Sequence, residues 1–175
     1  MAERKVKIRA ATNADAETIA VLSRDTFYET FAPYNSSQDM EIFLRQQFTH
    51  HALVEEVRFP SNYFFLAYLG NDLAGYVKLR DAGRPMEISH LQVLEIARIY
   101  VKKKMLGQGV GKELMQLSHD VARQKNKQGI WLAVWENNKR ALDFYTDWGF
   151  QIFGSQVFVL GNDVQNDWLM IKRLT

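Results

Sequence analysis

The sequence predicts an α/β domain in α+β arrangement: a mixed, mostly antiparallel twisted sheet of about seven strands with helices on both faces. Three observations carry this. The apolar period switches repeatedly between that of a strand and that of a helix along the 175 residues. Residues 130–135 are apolar at consecutive positions, as a central strand buried on both faces requires. Residues 99–112 pass from an apolar run through a basic loop and three alternating glycines into a helix.

Taken in order, residues 6–10 read as a first short strand. Thr12 or Asn13 can cap a helix reaching Phe31, with Ile19, Leu22, Phe27 and Phe31 as its apolar positions. The segment from Pro33 to Ser37 is a loop; Ser37 can cap a second helix carrying Met40, Phe43, Leu44 and Phe48. A third helical piece over 51–58 is stopped by Pro60. Residues 63–69 and 73–79 are strand-like runs joined by Gly70-Asn71-Asp72, a hairpin signal. Residues 91–101 form the next run before the glycine loop. The helix after it carries Val110, Leu114, Leu117 and Val121. Asn137 or Asn138 caps a short helix that ends at Gly149, where a left-handed residue belongs. Residues 150–160 and 168–174 make a last strand pair around Gly161-Asn162. The length suits one domain over 1–175, and no repeat or low-complexity linker divides it.

Composition narrows the function. A net charge of +2 lacks the basic excess of a general nucleic-acid binder. With no cysteine, disulfides, a thiol nucleophile and thiolate metal sites are excluded. The four histidines (His50, His51, His90 and His119) show no metal spacing, so no metal is expected. The first residues contain no apolar signal segment, and the densest apolar run, 63–69, is too short to span a bilayer. A cytoplasmic protein with no membrane partner is the expectation.

The glycine loop is the strongest candidate site. N–H groups at a helix start lack intrahelical partners, and the helix dipole favours an anion there. Glycines let a phosphate approach that backbone closely. The spacing is not that of a Walker A loop, because Leu106 stands where its first glycine belongs and Glu113 where its Ser or Thr belongs. It is not the dinucleotide fingerprint either, since Lys112 replaces the third glycine. A G-x-G-x-G turn remains, which by itself fits either a phosphate cradle or a tight strand-to-helix turn.

Three pieces together resemble the GNAT superfamily of N-acetyltransferases: Leu94-Glu95-Ile96-Ala97-Arg98-Ile99-Tyr100-Val101, like its fourth strand; Gly107-Gln108-Gly109-Val110-Gly111-Lys112, like its pyrophosphate loop; and the run from Trp135 to Tyr145 with Trp148-Gly149-Phe150, like its N-x-x-A-x-x-x-Y-x-x-x-G-F signature. The resemblance spans nearly the whole chain. The phrases Leu94-Glu95-Ile96, Ile130-Trp131-Leu132, Val134-Trp135-Glu136, Asp25-Thr26-Phe27 and Gln165 with Asp167 look most like the PaiA-type spermidine/spermine acetyltransferases. One departure is Leu106, where the family usually has Arg or Gln; Lys103, Lys104 or Lys112 could substitute, or that lysine run is a solvated loop face.

The resemblance implies acetyl-CoA as cofactor and a small amine as partner. Ile99, Tyr100 and Val101 would bond the pantetheine arm through their main chain. Gly107, Gln108, Gly109, Val110, Gly111 and Lys112 would hold the pyrophosphate. Asn138 would bind the cofactor, cap its helix, or do both. Tyr145 would contact the cofactor and protonate its departing thiolate; its spacing also fits a core tyrosine. Glu95 would take the amine proton, directly or through water, or be an exposed strand carboxylate. A main-chain N–H near Val101 would stabilise the oxyanion. Phe27, Tyr28, Glu29, Phe31 and Tyr34, with Asp25 beside them, are candidates for contacting a polycation, although an aromatic stripe also suits a core. The implied activity is direct acetyl transfer to a primary amine, spermidine or spermine first, without an acyl-enzyme. The competing readings are acetylation of a protein N-terminus, a lysine or another small amine, and a CoA-binding regulatory module without turnover. A homodimer through the final strands is compatible with the sequence.

Overall fold

The computed structural model describes residues 5–174; the first four residues, part of the segment read for a signal sequence, lie outside them. The strands are β1 (Val6–Ala10), β2 (Asn62–Leu69), β3 (Asp72–Arg80), β4 (Val93–Val101), β5 (Gly129–Trp135), β6 (Gln151–Leu160) and β7 (Asp163–Arg173). The helices are α1 (Ala16–Phe31), α2 (Ser37–Gln46), α3 (His50–Arg58), α4 (Val110–Gln124) and α5 (Lys139–Asp147). The strands form one sheet in the order β1-β2-β3-β4-β5-β7-β6. Every neighbouring pair is antiparallel except β4 and β5.

Local chemistry fixes the helix starts. Ser36, one residue before the expected cap, accepts the Asp39 N–H at 3.0 Å, and Thr49 accepts that of Ala52 at 3.1 Å. A 3₁₀ turn at Asn13–Asp15, boxed by Thr12 and Asp15, precedes α1. Gly149 closes α5 at φ +86°.

The helices cover both faces. On one, α4 and α5 bury Leu114, Met115 and Tyr145 against Val77, Leu94, Ile96, Ile130, Leu132 and Met170. On the other, α1, α2 and α3 bury Phe27, Met40, Phe43, Phe48 and Leu53. A bulge in β4 at Ala97, where the register steps from Arg98 to Ile96 against β3, inverts the alternation midway. Ile96 and Ile99 consequently pack in the same core despite their odd spacing.

Two connections brace the α1 side. Lys78 of β3 and Arg98 of β4 share one counter-ion, Glu56 of α3, at 3.1 and 2.7 Å. The tip of the β6–β7 hairpin rests on the start of α2: Asn162 donates its backbone N–H to Asp39 at 2.8 Å. Gly161 there has φ +64°, and a Cβ would lie 2.6 Å from the Asp39 main chain.

The last strand begins five residues earlier than its apolar content predicts. Its first half, Asp163 to Asp167, is polar because it pairs with β6 beside the cleft rather than filling a core.

Candidate active site

A gap in the middle of the sheet organises the site. β4 and β5 pair only at Val93 with Gly129, Leu94 with Ile130 and Glu95 with Trp131. Beyond that point the two strands run on unpaired to each other, to Val101 and Trp135. β3 still pairs with β4 from Gly75 to Tyr76 and Val77, opposite Val101, Tyr100 and Ile99. The edge of Ile99, Tyr100 and Val101 facing the gap therefore carries main-chain groups open to an extended ligand.

At the top of β4 the chain turns into the glycine loop. Lys102 donates its N–H to Ala74 at 2.8 Å and Lys103 donates its own to the Glu29 carboxylate at 2.9 Å, which anchors the approach. Gly107 (φ +77°) and Gly109 (φ +83°) are left-handed, a conformation that strains any side chain. Gly109 is the N-cap of α4, and the bond from Glu113 N–H to Gly109 carbonyl is 3.1 Å. Val110, Gly111 and Lys112 thus present first-turn N–H groups at a positive dipole end. Gly111 is different: its φ is ordinary, and a Cβ would meet Phe144 and Val101 at normal contact distances of 3.8 and 3.9 Å. Gln108 turns back to donate to Lys104 carbonyl at 3.2 Å. Leu106 is partly exposed and packs no core.

Across the gap, Asn138 caps α5, its Oδ1 accepting the Ala141 N–H at 3.2 Å. That helix delivers Tyr145, which packs against Phe144 and Phe150 with ring centroids 5.6 and 5.9 Å away. Burial pushes the Tyr145 phenol up, so it keeps its proton at neutral pH. The Tyr100 phenol, also raised chiefly by burial, interacts electrostatically with Tyr145 and Asp167. Tyr100 of β4 thus lies within electrostatic reach of Tyr145 of α5 and Asp167 of β7.

Glu95 is neither exposed nor free. It lies at the fork where β4 and β5 part, 6% exposed, and Arg80 grips both its oxygens at 2.5 and 2.8 Å. The partner was hidden because Arg80 and Glu95 are fifteen residues apart and meet only through the β3–β4 register.

The aromatic stripe of α1 divides. Phe27 is core, stacked on Phe43 at 4.6 Å and near Phe31 and Phe48, so it is corrected out of the acceptor site. Tyr28 is exposed, and Glu29 serves the glycine loop. Phe31 and Tyr34 set their edges against Trp135 at 6.2 and 5.6 Å and wall the gap on the α1 side. Asp25 instead borders a shallow surface groove with Leu73 and Lys102. Among the described residues no group of three His, Asp or Glu side chains could hold a metal, and no helix is long and apolar enough to cross a membrane. His119 is stacked on Trp148 at 5.1 Å, its Nδ1 at 2.8 Å from Met115 carbonyl. What sequence reasoning missed was the role open to Asp167; the available signal was Gln165 and Asp167, polar at alternate positions of a strand whose same face is buried.

A family model described as the Acetyltransferase (GNAT) family matches residues 23–150. The chain belongs to the GNAT acetyltransferase family. Members of this family are acetyl-CoA-dependent N-acetyltransferases, and acetyl-CoA is its acetyl donor here too. The open β4 edge, the left-handed glycines and the free first turn of α4 fit a pantetheine arm and a pyrophosphate. An uncharacterized N-acetyltransferase of Lactobacillus delbrueckii subsp. lactis is 36% identical over 97% of this chain and 98% of its own length. A spermidine N(1)-acetyltransferase of Thermoplasma acidophilum is 24% identical over 84% of this chain and 89% of its own. The crystal structure of a PaiA N-acetyltransferase from the same organism, in complex with coenzyme A, superposes with a TM-score of 0.77 at 21% identity, covering 97% of this chain and 99% of that one. The GNAT fold is thus shared end to end.

Proposed function

We propose that this GNAT enzyme moves the acetyl group of acetyl-CoA directly to a primary amine of a slender, cationic acceptor, with polyamines such as spermidine and spermine as the leading class. The observation that carries the reading is the convergence of the β4–β5 gap, the glycine loop and Tyr145 at one end of the sheet. The aromatic walls of Phe31, Tyr34 and Trp135 favour a thin cation over a bulky acceptor. The spermidine acetyltransferase among the relatives points the same way.

Each residue has a physical task. The main chain of Ile99 to Val101 holds the pantetheine arm as an added strand, and the N–H groups from Gln108 to Lys112 cradle the pyrophosphate. When bound, the cofactor supplies an activated thioester. Tyr145 donates a proton to the departing sulfur, a step its neutral phenol is equipped for. A β4 main-chain N–H beside the gap steadies the negative charge on the acetyl oxygen. Holding amine and thioester together supplies a large share of the rate. With no cysteine in the chain, transfer proceeds in a ternary complex without a cysteinyl intermediate.

Thiol release from acetyl-CoA, followed in parallel with spermidine, spermine, lysine peptides and other small amines, tests this. Turnover is expected with the polyamines. CoA binding without release on any amine would instead mark a regulatory module, and preference for peptides would move the acceptor to protein. Tyr145→Phe is expected to lower kcat by about 10²–10⁴-fold with CoA affinity unchanged; full turnover would remove Tyr145 from the chemistry.

A further inference from the structure

Two buried carboxylates, Glu95 and Asp167, lie on the central strands and a half-buried one, Glu56, lies against them; they differ in one respect. Glu95 has Arg80, and Glu56 has both Arg98 and Lys78. Asp167, 9% exposed, forms no ion pair among the described residues. A buried carboxylate without a cation is costly to keep charged, so it either holds a proton or receives its positive charge from a bound partner.

The position of Asp167 favours the second. Asp167 pairs with Trp135, the last residue of β5, where β5 has already parted from β4. Pairing places both residues on one sheet face, the face on which Phe31 and Tyr34 meet Trp135. Gln165, two residues earlier on that face, donates to Asn35 Oδ1 at 2.6 Å and so ties the loop after Tyr34 to the same strand. Gln156 of β6 stands opposite Asp167 in the β6–β7 register, and its amide moderates the carboxyl. The titratable groups that act on Asp167 itself are Glu136, beyond β5, and Tyr100 across the gap, neither of them a cation; Tyr145, Tyr76 and the Glu56-paired Arg98 act in turn on Tyr100.

We propose that Asp167 binds the ammonium group of the acceptor and takes its first proton, so that it, rather than Glu95, is the base of the reaction. This rests on the acetyl-transfer reading above. Asp167 accepts one proton from the ammonium and returns it to solvent. The freed nitrogen bonds to the acetyl carbon and the carbon–sulfur bond breaks. Tyr145 gives its proton to sulfur and is restored by the second proton leaving nitrogen. Burial, reinforced by Glu136 and moderated by Gln156, raises the Asp167 carboxyl, which makes it a better base than an ordinary aspartate. Glu95, with both oxygens on Arg80, holds the fork where the strands diverge.

The test uses Asp167→Asn, which keeps the shape, beside Glu95→Gln. Spermidine is titrated calorimetrically into the CoA-bound protein, and kcat/KM is measured from pH 6 to 10. Spermidine affinity is expected to fall at least about tenfold in Asp167→Asn, while CoA affinity is kept. In the same variant kcat/KM is expected to fall about 10²-fold or more near neutral pH and to recover as the pH approaches the amine's own pKa. Glu95→Gln is expected to keep the wild-type pH profile. Unchanged spermidine affinity in Asp167→Asn, no spermidine binding to the wild type, or a flattened profile in Glu95→Gln alone would each overturn the proposal. The binding arm answers whether or not any amine turns over, so failure of acetyl transfer is read separately.

Discussion

Lys78→Met is predicted to stabilise the protein. Lys78 is 3% exposed, lies 5.8 Å from the Phe64 ring centroid, and shares Glu56 with Arg98. Two cations on one carboxylate leave the cluster with an unbalanced positive charge. Burial first, then repulsion from Arg98, lower the Lys78 ammonium from 10.5 to about 8, against the pull of Glu56. At about 1.4 kcal/mol per tenfold change, keeping it charged in the folded state costs up to ~3 kcal/mol at pH 7. Between pH 8 and 10.5 the unfolded chain binds more of this proton than the native one, so the contribution of Lys78 to stability rises with pH. It is complete above 10.5 and lost as the pH falls through 8. Methionine preserves the stem and leaves Arg98 and Glu56 as a neutral bidentate pair. The variant is therefore expected to gain about 1–3 kcal/mol at pH 7, with the gap to wild type closing toward pH 10. Urea unfolding of both proteins at pH 7, 8.5 and 10 measures this. A variant less stable than wild type at pH 7, or a gap that does not change with pH, refutes the reasoning.

Two glycines give further predictions. Gly109→Val puts a branched side chain at φ +83° on the N-cap of α4, so CoA affinity is expected to drop by about tenfold or more; calorimetry showing normal affinity would count against the cradle. Gly161→Ala forces a Cβ to within 2.6 Å of Asp39, whereas Gly70→Ala, at φ +65° with open space around it, adds backbone strain alone. The first is expected to cost about 1 kcal/mol or more beyond the second in denaturant unfolding, and equal costs would show that the hairpin tip does not press on α2.

The elements whose apolar period was regular were legible in the sequence: β1, the β2–β3 hairpin and β5 to within a residue, and α4 through the apolar positions it buries. The start of β7 was not, because a strand that lines a cleft carries Gln165 and Asp167 where a core strand would carry valines. The backbone geometry of the glycine loop was legible because glycine order and a helix start are local properties. The side-chain half of the site was not: Glu95 could not be recognised as neutralised without knowing that register brings Arg80 beside it. Likewise nothing in the spacing of α1 distinguishes Phe27, locked between Phe43 and Phe48, from Phe31, turned toward Trp135. Those distinctions are made by helices packing onto a sheet, at separations of dozens of residues.

The hairpin tip resting on Asp39 and the Gln165–Asn35 bond together rivet the α1–α2 connection to a segment more than 120 residues downstream. The wall bearing Tyr34 is thus no free flap. Its distance from the central fork is set by the C-terminal strands, and on the proposed acetyl-transfer reading so is the width of acceptor that can pass. Grafting this connection from one relative into another will transfer selectivity only if the distal ribbon travels with it.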